Sequence, residues 1–203
     1  MKPPSLKPQF DKDGYVYIPE FFTTDEIQEI KNRIDQYIKN IAPDQPESKV
    51  FYEDSDDPTS IKQMFGMSDY DPFFDQLLWN SKVNDLAVGL LGENVDRGFV
   101  EFFNKPPGIG KPTPPHQDCY YFMLTPPQAL TFWIPLEHVD EENGCLRYVK
   151  GSHKTGLRAH GKTQTLGFSQ GIVDYGTEED LKNEIAIPAQ ASDVLVHHGM
   201  TIH

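Results

Sequence analysis

The chain has 203 residues, a formal net charge of −13 and two cysteines. That length suffices for one domain with a substantial core, so stability requires neither a structural metal nor a disulfide framework. The acidic balance argues against nucleic acid or an anionic membrane surface as a partner, because both attract clusters of Lys and Arg.

The start of the chain lacks the pattern of a secretory signal. Pro3, Pro4 and Pro8 interrupt it, and no apolar run approaches the length of a membrane span. Cys119 and Cys145 lack the regular spacing of a disulfide scaffold or a metal knuckle. We therefore expect a soluble, cytoplasmic protein.

The first third of the chain predicts a short strand followed by a helix. Tyr15–Ile18 reads as the strand, and Thr24 is a good helix N-cap before two acidic residues. Apolar residues then recur at helical spacing as far as Ile41, and Pro43 ends the pattern. One face of this helix should pack against the core while the other meets water.

An acidic stretch rich in Pro and Ser, residues 43–60, reads as a loop. From Pro72 to Leu91 the apolar spacing predicts two consecutive helical segments. Ser81 would cap the second segment, and Gly92 would stop it.

Beyond Arg97 the texture changes to short β-like runs separated by Pro, Gly and Asn. The predicted strands are Phe99–Phe103, His116–Leu124, Leu130–Leu136, Leu146–Val149, Glu184–Ile187 and Val194–Ile202. Short strands at this spacing are typical of a sandwich or barrel. The fold class expected is therefore mainly β with flanking helices, a jelly roll of the cupin type.

His116 and Asp118 suggest part of a metal site. Residues i and i+2 of a strand point to one face, and Pro114–Pro115 delivers the chain into this segment in an extended form. An imidazole and a carboxylate, completed by a second His, form the facial triad of non-heme Fe(II) oxygenases. By the same alternation Tyr120 and Phe122 would share the inward face. The pair alone is a weak signal, because such spacings arise by chance.

The third ligand would be a histidine far along the chain. The cluster Val194–His203 is favoured over the loop histidines, because a strand there feeds histidines into a turn relieved by Gly199. Spacing alone does not choose among the candidates, which are His138, His153, His160, His197, His198 and His203.

Several motifs together resemble the phytanoyl-CoA dioxygenase family of Fe(II)- and 2-oxoglutarate-dependent oxygenases. They are Asn104–Pro107, His116–Asp118, Trp133, Asn143–Leu146 and Gly151–His153, and their order and separation are similar over roughly residues 8–203. In that family the distal ligand ends an HGxxxH-like segment, which falls here on residues 198–203. The resemblance therefore implies His203 as the ligand and His198 as its neighbour.

The resemblance also implies a double-stranded β-helix, a cosubstrate and a reaction. Fe(II) would be held by His116, Asp118 and His203. Contacts to 2-oxoglutarate would come from Lys62, Gln117 and Trp133. With O2, the enzyme would hydroxylate an aliphatic C–H of a small-molecule substrate and release succinate and CO2. A carboxylate at position 118 favours hydroxylation over halogenation, because related halogenases leave that position to chloride.

Family members also carry an Arg about ten residues past the distal His, suited to bidentate binding of the far carboxylate of 2-oxoglutarate. The sequence ends before that position. We therefore expect residues 1–203 to be a single oxygenase domain truncated at its C-terminus. Its helices would lie mainly in 24–92 and its β core in 97–203.

Two alternatives stay open at the level of sequence. One is a metal-binding cupin of another reaction class, and the other is a non-catalytic binding module that keeps the fold. Oligomeric state is not indicated by the residues.

Overall fold

The computed structural model describes residues 6–92 and 95–203. Within these ranges the helices are α1 (Lys7–Asp13), α2 (Thr24–Asn40), α3 (Pro72–Leu78), α4 (Ser81–Leu91), α5 (Asp118–Phe122) and α6 (Glu178–Asn183). The strands are β1 (Tyr15–Ile18), β2 (Val50–Tyr52), β3 (Ile61–Met64), β4 (Phe102–Phe103), β5 (Leu130–Trp133), β6 (Leu146–Val149), β7 (His160–Thr165), β8 (Phe168–Ile172), β9 (Glu184–Ile187) and β10 (Val194–His198). None of the helices in the described ranges has the length and apolar character to cross a membrane.

The central sheet is antiparallel and has the order β1-β10-β5. One face packs on α1 and α4 through residues such as Val196, Phe10 and Leu90. The opposite face packs on the β6-β9 pair through residues such as Leu195 and Tyr148. Sheet facing sheet, with helices outside, is the helix-flanked jelly roll that the strand spacing predicts.

A second sheet, β2-β3-β4, is covered by α2 and α3. Helix α2 buries Ile27, Ile30 and Ile34, as its periodicity predicts. Its N-cap is Thr23 rather than Thr24, because the Thr23 hydroxyl and the Glu26 carboxylate each bind the other's backbone N–H. Such a capping box needs Glu three residues after the cap, which only Thr23 satisfies.

The predicted strand at His116–Leu124 is wrong. Residues 118–122 form helix α5, which ends where Met123 adopts a positive φ of 53°. A run of aromatic residues this short does not distinguish a strand from one helical turn. The expectation that Tyr120 and Phe122 share an inward face falls with it, because successive helical residues do not alternate.

Other boundaries also differ from the predictions. Strand β10 ends at His198, because the backbone turns there and Thr201 N–H donates to His198 O. Strand β2 lies inside the predicted loop 43–60. The β7-β8 hairpin, α1 and α6 were not predicted, since their polar or short sequences carry weak periodicity.

Asp193 fixes the start of β10. Its buried carboxylate accepts hydrogen bonds from the Tyr17 hydroxyl (2.7 Å) and from the backbone N–H groups of Glu20 (3.0 Å) and Gln190 (2.7 Å). These bonds tie the end of β1 to the strand that leads to the C-terminal histidines.

Replacing Asp193 by Asn should therefore destabilise the fold, because the amide presents N–H groups where donors already point. We expect Asp193→Asn to lower the free energy of unfolding by about 1.5–3 kcal/mol, measured by urea titration. Asp35→Asn, the same change on the exposed face of α2, should stay within about 0.5 kcal/mol of wild type. Equal stability of the two variants would contradict this role for Asp193.

Candidate metal centre

Three side chains with metal-ligating atoms converge inside the jelly roll. One ligand atom each from His116, Asp118 and His203 lies within 4.8 Å of the others. Asp118 Oδ1 is 3.4 Å from His116 Nε2 and 3.6 Å from His203 Nε2. Atoms about 2.1 Å from a shared ion and at right angles lie roughly 3 Å apart, so this donor set fits one octahedral metal ion.

Backbone pairing brings the two histidines together. His116 N–H donates to His203 O (2.9 Å), and His203 N–H donates to His116 O (3.1 Å). This reciprocal exchange is that of a hydrogen-bonded antiparallel pair, which places the two side chains on one side. Their ring centroids are 4.2 Å apart as a result.

Asp118 reaches the same point across one extended residue. Gln117 has φ −126° and ψ 124°, so the side chains of residues 116 and 118 project to one side. Asp118 then begins α5, and the next N–H, of Cys119, donates to Gly199 O (2.8 Å). The i, i+2 geometry expected of a strand is therefore realised by a single extended residue.

Hydrogen bonds at Nδ1 set the tautomers of His116 and His203. His116 Nδ1 lies 3.0 Å from Pro114 O, and His203 Nδ1 lies 3.0 Å from Thr201 O. A carbonyl only accepts, so each Nδ1 carries the proton when the ring is neutral. Each Nε2 is left with a free lone pair directed at the shared point.

The charge states also suit metal binding. Burial alone would raise the pKa of Asp118, but His203 and contacts with His116 and His197 hold that pKa well below its usual range. Burial lowers the pKa of His203 well below its usual range, and the neighbouring histidines lower it further. At neutral pH the site thus offers a carboxylate and an uncharged His203 imidazole.

Two contacts to Asp118 escaped sequence analysis. Thr131 Oγ1 donates to Asp118 Oδ2 (2.6 Å), and His197 Nε2 lies 3.1 Å from the same oxygen. The alternation of β10 could have indicated that His197 faces inward with Leu195, while His198 lies on the opposite face near Phe10. The remaining candidate histidines are not part of the cluster: His138, His153 and His160, the last of which begins β7.

Gln117 lies between the two ligands in sequence but has structural contacts. Its amide N–H groups donate to Met200 O (2.7 Å) and Gly156 O (3.0 Å), and its Oε1 accepts from Arg158 N–H (2.8 Å). The side chain is fully buried. These bonds use both of its donors, so its contact with 2-oxoglutarate stays a prediction.

Lys62 and Trp133 lie in different surroundings. The Lys62 ammonium is buried and donates to Glu53 Oε1 (2.9 Å), a carboxylate that is also buried. Trp133, in β5, pairs with Leu195 of β10 and belongs to the apolar core between the two facing sheets. Neither observation tests their predicted role towards 2-oxoglutarate.

Aromatic rings form one wall of the centre. The His116 ring is 5.0 Å from that of Phe168 and 5.8 Å from that of Tyr121, both edge to face. Tyr120, expected on the same inward face as His116 and Asp118, instead stacks on His160, with the ring centroids 4.0 Å apart. Because residues 118–122 form a helical turn, Tyr121 rather than Tyr120 packs against His116.

Glu101 is a further acid near the centre that sequence analysis missed. The Glu101 side chain is accessible to solvent. It is nevertheless surrounded by many protein atoms, and this burial raises the pKa of Glu101 to about 7. A hydrogen bond from Gln63 Nε2 (3.2 Å) opposes this shift, and the charge of Asp118 adds to it. The raised pKa of Glu101 and its electrostatic coupling to Asp118 make it a candidate functional acid.

Comparison with known proteins shows which proteins this chain is similar to. The model of the phytanoyl-CoA dioxygenase (PhyH) family matches residues 10–203. Phytanoyl-CoA dioxygenase 1 of Oryza sativa is 25% identical over 227 residues, covering 96% of this chain and 79% of that protein. The peroxisomal phytanoyl-CoA dioxygenase of Bos taurus is 33% identical over 118 residues, covering 55% of this chain and 35% of that protein.

Among solved structures, the fold is similar to that of the epimerase SnoN in complex with Fe3+, alpha ketoglutarate and nogalamycin RO. The TM-score is 0.74 at 20% identity, over 97% of this chain and 74% of that one. At this identity the likeness establishes the jelly-roll fold and leaves the reaction open.

The pKa of Glu101 gives a pH-dependent prediction for the metal-free protein. Because the folded state holds this proton more tightly than an ordinary Glu, ionising Glu101 costs stability increasingly as the pH rises from about 4.5 to about 7. We expect Glu101→Gln to melt at a higher temperature than wild type at pH 8 and at a similar temperature at pH 4.

The measurement is thermal unfolding in the presence of a chelator across this pH range. Glu142→Gln, on an exposed turn, removes the same charge away from the centre and should show no such pH-dependent gain. A Glu101→Gln curve parallel to that of wild type at every pH would refute the raised pKa.

Proposed function

The chain belongs to the phytanoyl-CoA dioxygenase family of Fe(II)- and 2-oxoglutarate-dependent enzymes, and from this premise we propose that it hydroxylates an aliphatic C–H of a small molecule. Succinate and CO2 would be the co-products. The observation that carries the proposal is the convergence of His116, Asp118 and His203.

The donor set fits ferrous iron. Two imidazoles and one carboxylate on one side of an ion are typical of non-heme Fe(II) oxygenases, which keep the opposite side open. The bound metal would supply O2 activation coupled to the oxidative decarboxylation of 2-oxoglutarate. The protein would supply the rest: in the neutral rings of His116 and His203 each Nε2 presents a lone pair, and Asp118 offers the negative charge.

The surroundings of the centre would orient the substrate and limit access of water. Phe168 and Tyr121 cover one side of His116, which excludes solvent from that ligand. Glu101 lies at a solvent-accessible position nearby, where it would meet an incoming molecule. Hydroxylation is favoured over halogenation because the Asp118 carboxylate takes the position that a halide would need.

An epimerisation is the second candidate, because the SnoN structure with its similar fold is that of an epimerase. Both reactions begin by removing hydrogen from carbon, and they differ in whether oxygen enters the product. The mass of the product separates them, since only hydroxylation adds one oxygen atom.

The first test is succinate release from 2-oxoglutarate under Fe(II) and air, with anaerobic Fe(II) titration beside it. Wild type should bind one Fe(II) and form succinate. Asp118→Ala should lose Fe(II) affinity by more than about 100-fold, because removing even a partner of a ligand costs roughly 10–100-fold. Succinate formation should disappear with it.

Neighbouring histidines provide a matched control for this test. His203→Ala should behave like Asp118→Ala, whereas His198→Ala, on the opposite face of β10, should retain Fe(II) binding. A wild-type protein that binds no Fe(II), or an Asp118→Ala variant that binds it equally well, would exclude the oxygenase and favour a binding module.

Recognition of 2-oxoglutarate is proposed to involve Lys62 and Trp133, with Gln117 between the metal ligands. A dicarboxylate needs a cation, and Lys62 would supply it by exchanging Glu53 for the cosubstrate. Lys62→Met alone is an unsuitable test, because it would leave the buried Glu53 carboxylate without a partner and lower the free energy of unfolding by about 3–5 kcal/mol.

The Glu53→Gln/Lys62→Met double variant avoids that cost by removing both charges. We expect its Kd for 2-oxoglutarate, measured anaerobically on Fe(II)-loaded protein, to rise at least about 10-fold, the loss of one charged contact. Glu53→Gln alone should not weaken binding, because it frees Lys62. Equal affinity of the double variant and wild type would remove Lys62 from the cosubstrate site.

A further inference from the structure

The two oxygens of Asp118 have different surroundings. Oδ1 faces Nε2 of His116 (3.4 Å) and of His203 (3.6 Å), which is the side of the proposed metal. Oδ2 accepts a hydrogen bond from Thr131 Oγ1 (2.6 Å) and lies 3.1 Å from His197 Nε2. Oδ2 is thus fixed by hydrogen bonds within the protein, and Oδ1 is the oxygen that faces the proposed metal.

The position of the proton on His197 is set by its neighbours. A carboxylate oxygen only accepts, so His197 Nε2 must carry the hydrogen that it donates to Asp118 Oδ2. In the neutral ring Nδ1 is then an acceptor, and the Tyr148 hydroxyl, 2.9 Å away, donates to it. Tyr148 and His197 are both almost completely buried, so water does not compete for these bonds.

This arrangement separates His197 from the proposed metal ligands. His116 and His203 meet backbone carbonyls at Nδ1, which leaves Nε2 without a proton and free to bind a metal. His197 meets a hydroxyl at Nδ1, which can donate, and its Nε2 keeps the proton. Three histidines lie around one carboxylate, and the group at Nδ1 decides which of them can be ligands.

Strand pairing makes the arrangement rigid. His197 of β10 and Thr131 of β5 are direct cross-strand partners, so they project from the same face of the central sheet. Tyr148 projects from β6 across the core and contacts His197. The two donors to Oδ2 are therefore fixed by the central sheet, while Asp118 itself lies at the start of a short helix.

We propose that His197, oriented by Tyr148 and assisted by Thr131, is a positioning residue that holds Asp118 Oδ2 so that Oδ1 alone faces the metal. This inference rests on the metal centre of the proposed function. Both donors bind Oδ2, so Oδ1 is left free to face the ion. A released carboxylate would rotate and lose the geometry in which three donor atoms face one point.

The test compares two changes at one residue, with Co(II) as an anaerobic metal probe. His197→Leu removes the donor, and His197→Gln keeps an N–H at similar reach. We expect His197→Leu to weaken Co(II) binding about 10–100-fold and to shift the visible ligand-field bands of the bound ion. His197→Gln should restore both the affinity and the spectrum towards wild type.

Two further variants guard against misfolding and against a general effect of strand substitutions. Thr131→Val removes the other donor to Oδ2 with little change of shape, and should weaken Co(II) binding in the same direction. His198→Leu makes the same change one residue along, on the opposite face of β10, and should leave the spectrum of bound Co(II) unchanged. Thermal unfolding of the metal-free proteins shows which variants are folded.

The outcomes distinguish this inference from the proposed function. If wild type binds Co(II) while folded His197→Leu and Thr131→Val both keep wild-type affinity and spectrum, the positioning role is wrong and the metal centre stands. Loss of binding in both His197→Leu and His197→Gln, with His198→Leu also impaired, would mark a purely structural effect and overturn the role too. Failure of wild type to bind Co(II) or Fe(II) would overturn the metal centre and this inference together.

Discussion

The reciprocal backbone hydrogen bonds between His116 and His203 are the interaction on which the candidate centre depends. They join two residues 87 positions apart into one antiparallel pair. The backbone pairing alone therefore places the two imidazole rings side by side. Asp118 is placed relative to the first histidine by one extended residue. The central sheet, in turn, carries β10 to the place where this pairing is possible.

The centre places ionisable groups where an isolated charge would be unfavourable. A buried carboxylate costs free energy unless donors or a cation compensate it, and Asp118 has both hydroxyl and imidazole donors at Oδ2. Burial holds His203 neutral, and carbonyls at Nδ1 fix the tautomers of His116 and His203. The same contacts that offset the cost of burying these groups thus leave the Nε2 lone pairs of the neutral His116 and His203 rings available to a cation.

Fold and chemistry are determined at different levels in this molecule. The jelly roll is shared with an epimerase, so sheets and helices alone do not decide which reaction the centre performs. The proposed chemistry would depend on a few side chains: the carboxylate at position 118, the aromatic rings around His116, and the acid at Glu101. These groups lie on loops, a short helix and strand ends, where sequence can change without disturbing the packed core.

The sequence by itself determined the amphipathic helices, several strands and, through the family resemblance, the three residues proposed as metal ligands. Periodicity and turn residues are local, and they suffice for α2 and for β1, β6 and β9. The tertiary structure alone decided that Asp118 begins a helix, that Tyr121 rather than Tyr120 stands beside His116, and that His197 donates to Asp118. Those features depend on contacts between residues that are distant in the chain. A pattern of neighbouring residues does not indicate which distant donor binds which acceptor.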